Sequence, residues 1–200
     1  MANSANSANA VIQTIHARRS TRKYTAEQIT EEQLDTLLDA AIWAPSGSDC
    51  QTWQFTAIQK EDVLLKINEL VKEGLRVWTP NDDYASRAAA IRQNAQKAEY
   101  NFYYRAPTLI LTSNRPNYEN GLADNALALQ NVFLTAESVG LGSCYINQLR
   151  WTSEYAPLRD YLAELGIPRE HVLFGAAAVG HIDTATPTPE RKPNTVKKII

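Results

Sequence analysis

The spacing of apolar positions divides the chain into predicted helices and strands. Apolar side chains recur at helical intervals over six stretches, which we predict to be helices: 9–18, 31–43, 61–76, 83–103, 122–139 and 154–165. Four shorter runs alternate or are continuously apolar, as strands are: 54–58, 108–112, 141–146 and 171–180. This order of elements, with two helices before the first strand, indicates an α+β fold.

Local signals mark where several of these elements begin and end. Thr30 and Gln33 form a capping-box pattern before the second helix, and Pro45 follows the end of that helix. Residues 1–9 are small and polar, so we expect a frayed tail there. The proline-rich stretch from Thr184 is expected to lie along another surface, such as a second subunit. Residues 10–200 form a single predicted domain.

Composition narrows the possible classes of function and location. The chain has 200 residues and a formal net charge of −2, so a nucleic-acid partner is not expected. No membrane-spanning run or secretory signal is predicted. Two distant cysteines, Cys50 and Cys144, favour reduced thiols in a cytoplasmic protein, with a disulfide or a reactive thiol as alternatives. No metal site is expected, because the three histidines lack metal-ligand spacing: His16, His171 and His181.

Three segments carry candidate chemistry. Residues 18–22 join three guanidinium groups and two hydroxyls, which suits a phosphate, although a solvated basic turn is the alternative. Loop 44–53 is rich in small donors and ends in an indole, so it could approach a planar ligand or simply connect a helix to a strand. The stretch 130–147 passes through a Gly-Leu-Gly turn, where the exposed backbone would let a flat ring lie close.

Taken in this order, the three segments resemble the nitroreductase-like family of FMN-dependent NAD(P)H oxidoreductases over roughly residues 10–193. Arg18–Arg22 match its motif R-R-S-x-R, Ala44–Trp53 match A-P-S-S-x-N-x-Q-P-W, and Ala128–Ile146 match A-x-Q-N…A-x-x-x-G-L-G-s-c-w-i. The resemblance implies a nitroreductase-like fold, with a central, mostly antiparallel sheet flanked by helices. It also implies a homodimer with FMN at the subunit interface and an exchanged C-terminal tail.

The resemblance further implies which residues bind the cofactor. Arg18 and Arg19, with Ser20, would hold the phosphate and ribityl end. Arg22 would lie near the N1–C2=O edge, where a cation stabilises the negative charge left by two-electron reduction. The loop from Pro45 would come from the partner chain. The full predicted set is Arg18, Arg19, Ser20, Arg22, Pro45, Ser46, Gly47, Ser48, Asp49, Gln51, Cys144, Tyr145, Ile146, Asn147 and Arg191.

The implied reaction takes hydride from NADH or NADPH and reduces nitroaromatics, quinones or similar small acceptors by a ping-pong mechanism. No catalytic side chain is needed, because the flavin carries the chemistry. Two positions depart from the family pattern: Asp49 stands in place of an asparagine and Thr52 in place of a proline. A carboxylate cannot donate as an amide does. Alternatives are an FMN storage or sensing protein with little turnover, reductive dehalogenation, fragmentation of the flavin, or an interaction module without cofactor.

Two further groups of residues are candidates for the substrate side of the site. One follows the predicted strand 108–112 and comprises Asn114, Arg115 and Tyr118. The other is an aromatic patch expected in the core or at a dimer contact, with a place at the pocket mouth as the alternative: Tyr100, Phe102, Tyr103 and Tyr104.

Overall fold

The computed structural model describes residues 3–80, 85–193 and 195–200. Its helices are α1 (Asn3–Ala17), α2 (Glu31–Ile42), α3 (Glu61–Val77), α4 (Ala85–Ala95), α5 (Gly121–Ser138), α6 (Gln148–Trp151) and α7 (Ala156–Glu164). Its strands are β1 (Gln54–Ile58), β2 (Thr108–Asn114), β3 (Gly142–Ile146) and β4 (Val172–Gly180). None of the helices in these ranges is long and apolar enough to cross a membrane.

The four predicted strands are confirmed, and the helices differ from prediction in three places. α1 begins at Asn3 and takes in most of the segment expected to fray. α4 ends at Ala95 rather than near 103. The chain then turns through Tyr104 and Arg105, whose φ angles of 59° and 57° no right-handed helix can contain. The four-residue α6 was not predicted.

The strands form one sheet in the order β1-β2-β4-β3, and every neighbouring pair is antiparallel. The α+β class and the antiparallel sheet are therefore as predicted. β2 and β4 occupy the centre, and all seven β2 residues are buried. This is why β2 has a continuous apolar run rather than a clean alternation. A bulge between Thr112 and Ser113 shifts the register of β2 against β4.

Helices cover both faces of the sheet, and each face has its own core. Because successive strand residues point to opposite faces, Ile110 and Ala177 pack towards α2 and α5. Leu109 and Ala176 pack on the other face, against the core that includes residues of α3, α6 and α7. The centre of β4 is an Ala176–Ala178 run of fully buried alanines, so helices on both sides approach the sheet closely.

The segment after α1 lies along the edge strand β3. Ser20 forms a parallel bridge with Ser143, and the Thr21 amide donates to the Ser143 carbonyl at 2.9 Å. Gly142 permits this approach, because a Cβ there would lie 2.7 Å from the Thr21 hydroxyl oxygen. Gly140, with φ of 77°, ends α5 as predicted. The fold thus sets the arginine-rich segment beside the glycine turn and β3.

Candidate functional site

Three arginines of the Arg18–Arg22 segment form a cluster without acidic partners. Arg18, Arg19 and Arg22 form no ion pair with any carboxylate in the described residues. The ion pairs of the described residues lie outside this segment: Lys72–Glu69, Arg159–Glu154 and Arg169–Asp160. A concentration of uncompensated guanidinium groups on one short segment favours an anionic ligand.

Arg19 connects this segment to the proline-rich tail of the same chain. Its guanidinium donates to the carbonyls of His16 at 2.6 Å and Arg18 at 2.8 Å, and to the Thr188 hydroxyl at 2.8 Å. The Thr186 hydroxyl donates to the Ser20 carbonyl at 3.4 Å. These contacts bring the proline-rich tail to the Arg18–Arg22 segment. The exposed Arg191 lies three residues beyond Thr188. The Arg19 Nε is buried without a hydrogen-bond partner.

Arg22 lies over an aromatic ring, and its charge acts on a buried thiol. Its guanidinium carbon is 5.7 Å from the ring centroid of Tyr104. The interaction with the Tyr104 phenol is the main influence that raises the pKa of Arg22, so the guanidinium stays charged. Burial raises the pKa of the Cys144 thiol, against the opposing charges of Arg22 and Arg18. Cys144 therefore stands beside two cations as a neutral thiol.

The predicted residues on β3 point to opposite faces of the sheet. Cys144 and Ile146 are buried in the core on the α3 side. Tyr145 crosses to the other face, where its ring meets Phe133 at 6.3 Å and its hydroxyl donates to the Phe174 carbonyl. Any contact of Ile146 with a ligand would therefore be made through its backbone. Both cysteines are free, so the alternative of a disulfide is wrong.

The loop after α2 adopts an unusual backbone conformation. Gly47–Asp49 form a short 3-10 turn, and Ser48, Asp49 and Gln51 have φ near 50°. The Ser46 hydroxyl accepts from the Gln51 amide at 3.1 Å, and the Gln51 side chain donates to Asp49 at 2.8 Å. Three non-glycine residues in the left-handed region store strain, which is common at binding sites. Asp49 thus has a partner inside its own loop.

A buried carboxylate on α5 holds this loop in place. Asp124 is 3% exposed, and both of its oxygens lie 3.2 Å from the Gly47 amide. The Tyr118 hydroxyl lies 3.0 Å from Asp124 and 3.1 Å from the Gly47 carbonyl. A Cβ on Gly47 would lie 2.0 Å from the Asn120 side chain, so a larger residue would have to displace that side chain. The sequence analysis missed Asp124; its place in the first turn of α5 was the available signal.

The residues suggested for the substrate side do not form one surface. Tyr118 belongs to the contact with the Gly47 loop. Asn114 is fully buried, and its side-chain oxygen accepts from the Arg115 amide, so it lies inside the fold. Only Arg115 is exposed. Phe102 and Tyr103 are buried in the core, as expected for the aromatic patch.

His171 packs under the bulge in β2, where its Nδ1 lies 3.1 Å from the Ser113 hydroxyl. No group of three or more metal-ligating side chains occurs in the described parts of the chain. Burial lowers the pKa of His171 from 6.5, while the charge of Glu170 raises it and that of Arg115 lowers it.

The lowered pKa of His171 has a consequence for stability. Below pH 6.5 the unfolded chain binds a proton that the folded protein resists, so the free energy of unfolding falls as the pH falls through 6.5. Urea unfolding of wild type and His171→Gln between pH 5 and pH 8 measures this effect. We expect a shallower decline in the variant. If the free energy of unfolding fell equally with pH in both proteins, His171 would have the same pKa in the folded and unfolded states.

Comparisons with known proteins agree with the motifs. The model of the Nitroreductase family matches residues 15–181. A crystal structure of a nitroreductase with bound FMN from Bacteroides fragilis is 35% identical, covers 95% of this chain and 98% of its own, and superposes with a TM-score of 0.87. An FMN-dependent nitroreductase from Clostridium difficile is 26% identical over 96% of this chain and its whole length, with a TM-score of 0.75.

A curated relative gives the same result at the level of sequence. The NADPH-flavin oxidoreductase of Vibrio harveyi is 29% identical over 196 residues, which cover 96% of this chain and 72% of the relative. The match of the family model takes in all three motif segments that the sequence analysis identified, from Arg18 to Ile146. The chain therefore belongs to the nitroreductase family.

Proposed function

We propose that this protein is an oxidoreductase that binds FMN between two identical subunits and takes hydride from NADH or NADPH. The acceptors would be nitroaromatics, quinones or similar small molecules, reduced in a ping-pong mechanism. The observation that carries the proposal is the cluster of Arg18, Arg19 and Arg22, which is free of described carboxylate partners and lies along β3. The FMN in the Bacteroides fragilis relative and the names of the other relatives support the choice of cofactor.

The residues present fit FMN. Its phosphate is an anion suited to unpaired guanidinium groups, and the buried Arg19 Nε is a donor that still lacks an acceptor. The strained loop 46–51 presents small side chains and backbone amides, which can approach a planar ring. The Gln51 side chain donates a hydrogen bond to Asp49. This loop therefore carries a hydrogen-bonded carboxylate at the position where the family has an amide.

Each part of the chain has a defined task in this proposal. Bound FMN supplies the hydride chemistry. Arg18 and Arg19 would bind the phosphate end, and the tail held by Arg19 would bring Arg191 towards it. Arg22 would place a permanent positive charge at the N1–C2=O edge, where it favours added electrons. The backbone from Tyr145 to Asn147 would line the ring, and the loop from Pro45 to Gln51 of the second subunit would close the site.

An exposed apolar surface supports the dimer. We call it the apolar face; it spans α5 and the two helices that pack on it, α1 and α2. Trp43, at the end of α2, is 78% exposed although tryptophan is normally well buried. Exposed apolar side chains that are concentrated on neighbouring helices favour an interaction site. The apolar face is the set of exposed apolar residues on these helices and at their ends: Val11, Ile12, Ile15, Ile42, Trp43, Leu122, Leu127 and Val139.

A charge on the apolar face should prevent subunit association. Ile12 is 52% exposed, so Ile12→Glu should fold normally yet place a carboxylate in the interface. Sedimentation velocity should then give a monomer, and FMN retention should fall because each site needs both subunits. The matched control is Leu65→Glu on α3, at an equally exposed leucine outside this face. A dimeric Ile12→Glu protein would place the interface elsewhere.

The proposed function is tested by the visible spectrum of the purified protein, recorded anaerobically before and after NADPH and then NADH. Flavin bands that bleach with either nucleotide would support the reductive half-reaction. With an added quinone, parallel lines in double-reciprocal plots of the initial velocity would support ping-pong kinetics. Bands that persist with both nucleotides would favour FMN storage or sensing. No flavin band, even after incubation with FMN, would overturn the proposal in favour of a module without cofactor.

A further inference from the structure

The turn between α4 and β2 holds two consecutive residues in a strained conformation. Tyr104 and Arg105 have φ angles of 59° and 57°, and neither is glycine. The left-handed region is unfavourable for a residue with a Cβ. Such a conformation persists only where surrounding contacts impose it.

Two buried or half-buried asparagines impose the turn. The side-chain oxygen of Asn101 accepts from the amides of Tyr103 at 3.1 Å and Arg105 at 2.8 Å. Asn68 on α3 is 5% exposed, and its side-chain oxygen accepts from the Phe102 amide at 3.1 Å. The turn is therefore anchored to α3 and packed against the core on that face. Its geometry is set independently of any ligand.

The strained turn delivers the Tyr104 ring to Arg22. The guanidinium carbon of Arg22 lies 5.7 Å from the ring centroid, within the range of a cation–π interaction. Besides this contact, the Arg22 guanidinium has a long hydrogen bond of 3.4 Å to the Ser20 carbonyl. Tyr104 is thus the main described contact that restrains a side chain with many accessible rotamers.

We propose that Tyr104 is a positioning residue that fixes the Arg22 guanidinium for its contact with the flavin ring. This inference rests on the proposed function. Tyr104 does not itself touch the cofactor in this proposal. It acts by holding the Arg22 charge in one place before FMN binds, while the N–H groups at the edge of the guanidinium stay available to an acceptor.

This arrangement should favour reduced over oxidised FMN. Reduced FMN carries negative charge at the N1–C2=O edge, whereas the oxidised ring is neutral, so a well-placed cation binds the reduced form more tightly. If Tyr104 is removed, Arg22 spreads over several rotamers and this preference weakens. The effect should therefore depend on Arg22, and it should appear in the midpoint potential of the bound flavin.

The test is an anaerobic potentiometric titration of FMN bound to the full-length protein. In Tyr104→Leu, the binding of reduced relative to oxidised FMN should weaken about tenfold, which lowers the potential by about 30 mV for a two-electron couple. Tyr104→Phe keeps the ring and should show a smaller change. In an Arg22→Gln background, Tyr104→Leu should produce no further change, because the residue through which it acts is gone.

Tyr161→Leu is the matched control, since Tyr161 on α7 is also a half-buried tyrosine packed against the same core. It should leave the potential at the wild-type value. An equal fall after Tyr104→Leu with and without Arg22, or an unchanged potential in Tyr104→Leu, would overturn the inference while the proposed function stands. A wild-type protein that binds no FMN would instead overturn the proposed function, and this inference with it.

Discussion

Replacement of Arg18 and Arg22 by alanine should abolish retention of FMN through purification. Both guanidinium groups lack a described carboxylate partner, so their removal leaves no buried charge unpaired and should change stability little. The loss of Arg18 would remove hydrogen bonds to the phosphate, and charge-assisted bonds of this kind are about twice as strong as neutral ones. The loss of Arg22 would remove a donor at the N1–C2=O edge. We expect the dissociation constant for FMN to rise at least a hundredfold, as measured by quenching of flavin fluorescence.

The control for this experiment is Arg169→Ala, which removes an exposed arginine paired with Asp160. Exposed pairs of this kind contribute roughly 0–1 kcal/mol, and the residue lies outside the predicted site. Its affinity for FMN should match the wild type. If the double variant were purified with its flavin still bound, the phosphate would have to lie elsewhere. The arginine cluster would then be only a solvated basic turn.

Replacement of Asp124 by alanine should destabilise the protein and loosen the loop that it holds. The change leaves the Gly47 amide without its buried acceptor, at a cost of roughly 1–3 kcal/mol. The Tyr118 hydroxyl keeps the Gly47 carbonyl as an acceptor. The three left-handed residues would then be held mainly by hydrogen bonds inside the loop, so their strain should partly relax. We expect urea unfolding at a lower midpoint and an FMN dissociation constant raised about tenfold.

Asp160→Ala is the matched control, because Asp160 is an exposed aspartate in a surface ion pair. Its unfolding midpoint should stay close to that of the wild type. Tyr118→Phe separates the two effects: it keeps the ring but removes one partner of the carboxylate, so it should lie between wild type and Asp124→Ala. Wild-type stability in Asp124→Ala would mean that the loop holds its shape unaided.

The sheet could be predicted from sequence because its information is local. The runs at β1 and β4 are bounded by polar or turn residues, and their apolar character alone identifies them. The pleat of β3 also makes it possible to predict that Cys144 and Tyr145 face opposite sides. The motif segment 18–22 is likewise a contiguous signal, and the structure places it beside β3.

The contacts that hold the candidate site together are not local, so the sequence does not reveal them. Asp124 meets Gly47 across 77 positions, and Asn68 meets Phe102 across 34. The helix predicted to reach residue 103 ends at Ala95, and the segment that follows is tied to α3 by Asn68, a side-chain acceptor distant in sequence. No helical pattern records such a partner. Tyr118 shows the same limit. Its position in the sequence suggested a contact with substrate, whereas in the structure its hydroxyl contacts the Gly47 loop.

The alanine run at the centre of β4 makes the two helical layers mechanically dependent on each other. Ala177 is fully buried on the α5 face, in the core that α2 and α5 share with the sheet. Ala177→Val would push α5 outward at a cost of about 1–3 kcal/mol. Because α5 carries Asp124, which contacts the Gly47 amide, that displacement would also shift the Gly47 loop. Directed changes of specificity in this fold should therefore leave the sheet's central strand unaltered and vary the surface loops instead.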